Sequence, residues 1–295
     1  MKLAVSVLIL WMFPMNVLAQ TNFKNKAGDS HLCGPFPIER LEKDSLYQSW
    51  FTKGYNADEY PKDQPKWAKE LSKVEIEIFM GTWCGDSKKW VPRFVRLWDE
   101  IGLSRSQLSF IGLYDFTDGK YKQGPNAEEQ GREIHRIPTF IIKRKGREIA
   151  RIVESPVEGL QSDLEKIALG QHYIPNYRAA NYLMKKFKKN VPKKKRDAEK
   201  LKTKLASLTK NHRELNTLGF VYLDAGKEDK ALKTFKYNSL IFKNNPDTFI
   251  NYAYALTKLG KIEEAIENYR KVLELDKDNT YATRQLEQLE QTNKE

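Results

Sequence analysis

One stretch decides the fold of this 295-residue chain: Met80-Gly81-Thr82-Trp83-Cys84-Gly85-Asp86-Ser87. The preceding run, Val74–Met80, is rich in residues that favour a buried strand, and residues 88–98 can form a helix. Cys84 is therefore predicted to lie where a strand ends and a helix begins. At that place the first backbone N–H groups of the helix lack partners and the helix dipole is positive. A thiol there favours its thiolate, which is the form that attacks disulfides.

These residues resemble the active-site turn of the thioredoxin family. Trp83-Cys84-Gly85 follows a strand, and Pro92 lies where family members carry the proline that kinks the active-site helix. Residues 136–142, Arg-Ile-Pro-Thr-Phe-Ile-Ile, are similar to the family's cis-proline loop. The resemblance covers roughly residues 65–170 and implies a thioredoxin-like α/β fold.

Two departures from the family pattern bear on the chemistry. Ser87 replaces the second cysteine of the family, which leaves a C-x-x-S motif. Ile78 stands six residues before Cys84, where the family often has a buried aspartate that accepts a proton. The resemblance therefore carries over the fold better than it carries over two-cysteine chemistry.

The resemblance also implies roles for the neighbours of Cys84. Ser87 either donates a hydrogen bond to the thiolate or only starts the helix, and Trp83 is either a substrate platform or a packing residue. Pro138, if its peptide bond is cis, presents the backbone of Ile137 to an extended peptide. The implied substrate-contacting residues are Trp83, Gly85, Asp86, Ile137 and Thr139.

Three roles for Cys84 are consistent with the sequence. As a single thiol it forms a mixed disulfide with a substrate protein or small thiol, and release needs another thiol, which favours isomerisation or reduction of mixed disulfides. In the second role, Cys33 is the resolving thiol on a mobile N-terminal arm. In the third, the two cysteines form a permanent disulfide, or Cys84 is inert.

The first 19 residues are typical of a secretory signal peptide. Lys2 precedes an apolar run at residues 3–13, and Val17-Leu18-Ala19 offers small residues at a cleavage site. The alternative is an uncleaved anchor. Export predicts a periplasmic or secreted protein in an oxidising compartment.

Charge and spacing divide the remaining chain. Residues 20–34 are predicted to be a flexible N-terminal arm, residues 35–170 the thioredoxin-like domain, and residues 171–210 a basic helical linker. Between Lys185 and Lys204 there are eleven Lys or Arg residues and two acidic ones, within a chain whose net charge is +12. This segment is either a solvated connector or a contact for an anionic surface or acidic partner. Nucleic acid is a poor fit for an exported protein.

Residues 211–295 contain an internal repeat. A shift of 34 residues places Leu218 on Tyr252, Gly226 on Gly260 and Phe235 on Tyr269. This pattern resembles tetratricopeptide (TPR) repeats, which implies an all-α helical repeat domain that recruits a protein partner. The predicted fold is thus an α/β thioredoxin-like domain followed by TPR-like repeats.

Other chemistry finds little support. The four histidines have no metal-site spacing, and His135 is predicted to be an exposed loop residue rather than a proton donor or acceptor. No cofactor is predicted. The long polar segment at residues 115–131 is expected to border the active site.

The sequence favours an exported thiol–disulfide exchange protein of the monothiol oxidoreductase or isomerase type. The alternative is a redox-inactive module that binds a peptide or protein.

Overall fold

The computed structural model describes residues 21–60, 64–116, 120–189 and 194–292. The predicted signal peptide at residues 1–19 lies outside these ranges. Within them, no helix combines the length and the hydrophobicity needed to cross a bilayer.

A six-stranded mixed sheet forms the N-terminal half, in the order β1-β2-β4-β3-β5-β6. Only β3 and β4 run parallel among these neighbours, and the other pairs are antiparallel. The strands are β1 (Thr21–Lys24), β2 (Ser30–Phe36), β3 (Val74–Met80), β4 (Leu108–Gly112), β5 (Thr139–Arg144) and β6 (Arg147–Val153).

Five α-helices within the described residues accompany the sheet. They are α1 (Glu39–Lys43), α2 (Gln48–Tyr55), α3 (Ala68–Leu71), α4 (Gly85–Glu100) and α5 (Leu160–Ala168). Side chains alternate between the two faces of a strand. Ile76 and Ile78 of β3 therefore belong to the main core with these helices, whereas Phe79 belongs to a second cluster on the other face. Trp83 and Cys84 pack against that second cluster.

The prediction that residues 20–34 form a flexible N-terminal arm is wrong. Residues 21–24 and 30–36 are β1 and β2, and β2 pairs with β4. Burial explains why: Leu32 and Phe36 enter the main core, and the Phe23 ring packs against Tyr114 with centroids 4.9 Å apart. Cys33 is fully buried within β2, so it does not lie on a mobile segment.

The region predicted as a basic helical linker contains α6 (Arg178–Lys189) and α7 (Lys195–Leu208). Both helices contribute to the core of the repeats, through Leu183, Phe187 and Leu205 among others. Most of the basic side chains from Lys185 to Lys204 that the structure describes are exposed. The two helices are therefore part of the helical domain rather than a connector, and their outer surface is strongly positive.

The repeats follow as five helices: α8 (Arg213–Asp224), α9 (Glu228–Ile241), α10 (Pro246–Lys258), α11 (Ile262–Leu275) and α12 (Thr280–Thr292). Phe235 of α9 and Tyr269 of α11, which the 34-residue shift superimposes, are both fully buried. Gly219 of α8 faces the Phe235 ring so closely that a Cβ atom there would lie 2.6 Å from it. The small residue lets the two helices approach, as the repeat pattern predicts.

One carboxylate fastens α6 to the first repeat. Glu214 is 3% exposed, and its Oε1 accepts hydrogen bonds from the backbone N–H groups of Ala179 and Ala180 at 2.7 and 3.1 Å. These donors belong to the first turn of α6, where N–H groups have no partner within the helix. A carboxylate at that end also interacts favourably with the helix dipole.

Replacing Glu214 with alanine should therefore lower the free energy of unfolding by about 2–3 kcal/mol, because buried donors lose a charged acceptor. The measurement is urea unfolding followed by circular dichroism. Glu263→Ala is the matched control, since Glu263 is an exposed acid in the first turn of α11. Equal stability of the two variants would contradict the assigned role of Glu214.

Candidate functional site

Cys84 is the N-cap residue of α4 and is half-buried. Its backbone N–H donates to the Gly81 carbonyl at 2.9 Å, and its own carbonyl accepts from the Lys88 N–H at 3.0 Å. The Sγ atom donates to the Ile137 carbonyl oxygen at 3.6 Å. The thiol is thus held between the start of a helix and a second loop, with one side open to solvent.

That second loop contains Pro138. The Ile137–Pro138 peptide bond is cis, and both residues are buried. Thr139 begins β5, which pairs with β3, and its hydroxyl donates to the Arg136 carbonyl at 2.6 Å. The structure therefore brings Cys84, Ile137, Pro138 and Thr139 together at one end of the sheet.

Ser87 and Trp83 shape the turn that carries Cys84. Ser87 is fully buried, and its Oγ accepts a hydrogen bond from the Gly81 N–H at 3.2 Å. Among the described residues, this is the hydrogen bond that the Ser87 side chain makes. Ser87 therefore stabilises the turn and does not bond to the thiol. Trp83 donates from Nε1 to the Leu113 carbonyl at 2.8 Å and forms a wall beside Cys84. Gly85 and Asp86 are exposed at the open side.

Cys33 and Cys84 are both thiols in this structure. Cys33 is completely buried between neighbouring strands, whereas a resolving thiol must reach a mixed disulfide formed at Cys84. The β2 strand would have to leave the sheet first. The site therefore presents one accessible thiol.

The sequence missed Lys122, which lies in the long segment that precedes Pro138. Lys122 is 6% exposed, and its Nζ donates to the His135 carbonyl at 2.9 Å. Burial, aided by the positive charge of Arg136, lowers the pKa of the Lys122 ammonium to about 7, and negative charge on Cys84 and Glu154 opposes the shift. The only signal in the sequence was the length of the segment, which was expected to border the site.

Arg136 is a second cation beside the site. Its guanidinium lies 4.8 Å from the centre of the Tyr177 ring and 3.8 Å from the Glu154 carboxylate. The Tyr177 hydroxyl donates to that same carboxylate, and the Glu154 N–H donates to the Pro138 carbonyl at 2.7 Å. Arg136, Glu154 and Tyr177 therefore form a bonded cluster around the proline loop.

His135, predicted to be exposed, is 1% exposed. Burial lowers the pKa of His135 to about 3, with the positive charge of Arg151 as the next cause. The imidazole is therefore neutral at physiological pH. The prediction failed because the segment that carries His135 packs against the second face of the sheet, where Ile134 and Ile137 are buried.

Strained backbone is concentrated in these segments. Lys122, Glu133, Glu154 and Tyr177 have φ angles of 60°, 55°, 63° and 61°. Each residue other than glycine costs about 1–2 kcal/mol in this left-handed region. Such outliers cluster at functional sites, where surrounding contacts hold them in place. Glu133 lies in the segment that leads to Pro138, and Glu154 and Tyr177 both contact Arg136, so three of these residues surround the proline loop.

A cavity of about 770 Å³ lies between the segment at residues 114–136 and helix α8. Lys227 and Glu133 approach each other across it, with Nζ and Oε1 3.9 Å apart. Volumes of this size are typical of binding sites for small ligands or side chains. Its lining includes Tyr114, Tyr121, Lys122, Arg136, Arg213 and Phe220. Arg136 precedes Ile137, whose carbonyl contacts Cys84, and Arg213 and Phe220 belong to α8, so the cavity lies between the proline loop and the first repeat.

No group of three His, Cys, Asp or Glu side chains that could hold a metal ion occurs within residues 21–60, 64–116, 120–189 and 194–292.

Comparison with known proteins agrees with the α/β half of the fold and with the helical half. A family model described as TPR repeat matches residues 253–286. The chain is also 31% identical over 96 residues to the protein named Thioredoxin-2, mitochondrial, of Schizosaccharomyces pombe. The fold is a thioredoxin-like α/β domain followed by TPR-like helical repeats. The match covers 32% of this chain and 62% of the length of that thioredoxin. TPR repeats generally mediate contacts between proteins.

Proposed function

We propose that this protein exchanges thiols and disulfides through Cys84 as a single nucleophile. One observation carries the proposal: Cys84 caps α4, is partly open to solvent, and lies with Sγ 3.6 Å from the carbonyl that precedes the cis-proline. The sulfur thus lies at the N-terminal end of α4, which is the positive end of the helix dipole.

The reaction has two steps. The Cys84 thiolate attacks one sulfur of a substrate disulfide, so that a mixed disulfide forms and the second substrate sulfur leaves as a thiolate. Another thiol, from the substrate or from solution, then attacks the mixed disulfide and releases Cys84. Because Ser87 carries no thiol and Cys33 is buried, the outcome is isomerisation or the removal of mixed disulfides.

The substrate is proposed to be a protein held by the helical half of the chain. The cavity lies between Arg136, next to the proline loop, and Arg213 and Phe220 of α8, so we propose that it holds a segment of the substrate. We also propose that residues 1–19 direct export, which places the reaction in a periplasmic or extracellular compartment where disulfides persist.

A redox-inactive binding module is the second candidate. Two observations favour it: Ser87 is occupied in fixing the turn, and the fully buried Ile78 replaces a proton-accepting acid. In that case the cavity and the repeats hold a peptide, and Cys84 takes no part.

A turnover assay separates the two candidates. The substrate is a peptide whose single cysteine is joined to glutathione by a disulfide, with free glutathione in excess. We expect the rate of peptide release to rise in proportion to protein concentration, because each released Cys84 starts another cycle. A rate that equals the protein-free background would reject the exchange function and leave the binding module.

A further inference from the structure

A second cleft, of about 510 Å³, lies between the β5–β6 hairpin and helix α6. Arg144, the last residue of β5, lines one wall, and Lys185 and Lys188 of α6 line the other. Lys188 connects the two walls, since its Nζ lies 3.8 Å from the Glu148 carboxylate of β6. The fold thus brings basic residues of the α/β domain and of the helical domain to one place, which we call the basic cleft.

The edges of the basic cleft are also positive. Lysines near the C-terminal end of α6 interact favourably with the helix dipole, which offsets part of their mutual repulsion. The hairpin offers no comparable dipole, because strand dipoles largely cancel. Four further exposed cations belong to these two elements: Lys145 and Arg147 in the hairpin, and Lys186 and Lys189 in α6.

The two arginines of the hairpin are in an unfavourable arrangement. Arg144 pairs with Arg147 across the Lys145-Gly146 turn. Like charges directly opposite each other on neighbouring strands destabilise a sheet. In the described part of the chain neither arginine forms an ion pair, although Arg144 donates to the Glu70 carbonyl at 3.1 Å. An anionic group bound beside the hairpin would remove the repulsion.

Glu148 is the one acid among the described residues that line the basic cleft, and it already has a partner. Arg151 donates from Nε and Nη2 to the two carboxylate oxygens at 2.6 and 2.8 Å. Burial acts to raise the pKa of this carboxyl, but the shift is downward because the hydrogen bonds and charge of Arg151 oppose burial. The charges of Lys188 and Lys185 add to that effect. Both lysines therefore act on the interior of the cleft, where the potential is positive.

We propose that the basic cleft binds an acidic segment of a partner protein. Its cations lie on two walls, so the carboxylates of an extended chain can pair with both walls at once, whereas a flat bilayer would meet only the edges. Ile149 also lines the cleft and is 43% exposed, which offers an apolar contact between the charges. The cleft is separate from Cys84, so this inference goes beyond the proposed exchange function and does not depend on it.

The helical wall favours a protein as the partner. Residues of α6, among them Leu183 and Phe187, belong to the same core as the TPR-like helices. TPR repeats generally mediate contacts between proteins. Complementary charge across such a contact speeds association and selects the partner.

The test is binding of a dye-labelled peptide of alternating glutamate and serine, followed by fluorescence anisotropy. We expect binding at about 50 mM salt that weakens at least about tenfold at about 300 mM salt, because salt screens exposed charges. The same peptide with glutamine in place of glutamate should not bind. Equal affinity for the two peptides, or no binding of the acidic peptide at low salt, would overturn the proposal.

A double variant, Arg147→Glu with Lys185→Glu, reverses one charge on each wall. The change at Arg147 places a carboxylate opposite Arg144, so the hairpin should become more stable rather than less. We expect this chain to bind the acidic peptide at least about tenfold more weakly than the parent, because attraction becomes repulsion.

The matched control is Lys243→Glu with Lys277→Glu, which changes the net charge by the same amount at two exposed positions of the repeats. We expect the control chain to keep the parental affinity. If it loses as much affinity as the cleft variant, the overall charge governs binding and the cleft is not the site.

Sedimentation with phosphatidylglycerol vesicles tests the other anionic surface. If the parent chain binds these vesicles, the cleft variant does not, and the acidic peptide binds neither chain, the surface faces a bilayer and the proposal is overturned. Binding of the acidic peptide that the cleft variant loses and the control retains is the result that the proposal predicts.

Discussion

Replacing Cys84 with serine should lower the rate of catalysed disulfide exchange by at least about a thousandfold, because loss of a nucleophile commonly removes most of an enzyme's rate enhancement. Serine has nearly the same shape and can still donate to the Ile137 carbonyl, so the fold and the cavity are preserved. A hydroxyl does not displace a thiolate from a disulfide, since only a thiolate is nucleophilic enough. The measurement is release of the glutathione-linked peptide at fixed protein concentration.

Cys33→Ala is the control for the Cys84 variant. Alanine is chosen because it removes the thiol and adds no polar group at this fully buried position. We expect the Cys33 variant to keep the parental rate. Exchange that persists in Cys84→Ser would contradict the nucleophile assignment. Exchange lost in Cys33→Ala, with the fold intact, would instead indicate a redox pair.

The second large effect concerns Gly112, the last residue of β4. It pairs with Gly34 of β2 and with Met80 of β3, so backbone lies close on both sides. A Cβ atom at Gly112 would lie 2.4 Å from the Leu32 carbonyl oxygen and 2.9 Å from the Cys33 Cα. These are backbone atoms, which cannot relieve the clash by a rotamer change as the end of a side chain can.

Gly112→Ala should therefore lower the free energy of unfolding by about 3 kcal/mol, at the upper end of overpacking costs, because β2 must shift. The shift also reaches the site, since the Leu32 N–H donates to the Thr82 hydroxyl beside Cys84 at 3.2 Å. Urea unfolding measures the change.

Ser109→Ala on the same strand is the matched control for Gly112→Ala. Ser109 is exposed, and surface substitutions usually change stability by less than about 0.5 kcal/mol. If Gly112→Ala and Ser109→Ala have the same free energy of unfolding, β2 and β4 do not approach as closely as described here.

The elements that the sequence predicted are those whose signals are local. Val74–Met80 has a continuous strand pattern and forms β3. The TPR-like repeats were visible because Gly219 and Phe235 must meet where two helices cross, and that requirement recurs after 34 residues. Cys84 and Pro138 were found through a resemblance that joins two distant motifs.

The elements that the sequence missed depend on long-range contacts. β2 contains Gly34 and Pro35, which locally favour a turn, yet its pairing with β4 and the burial of Leu32 outweigh that preference. Lys122 carries no motif, and only the folded segment at residues 114–136 brings it to the His135 carbonyl. Nothing local to Lys122 or His135 indicates the burial that shifts the pKa of each.

The most direct test of the central claim is to detect the mixed disulfide itself. The Cys33→Ala chain is incubated with a peptide that contains one disulfide, quenched with acid, digested without reductant and mapped by mass spectrometry. The account predicts a peptide adduct on Cys84 that accumulates and then disappears when free thiol is added. A Cys84 that stays unmodified, while an unfolded sample of the same chain forms the adduct readily, would contradict it.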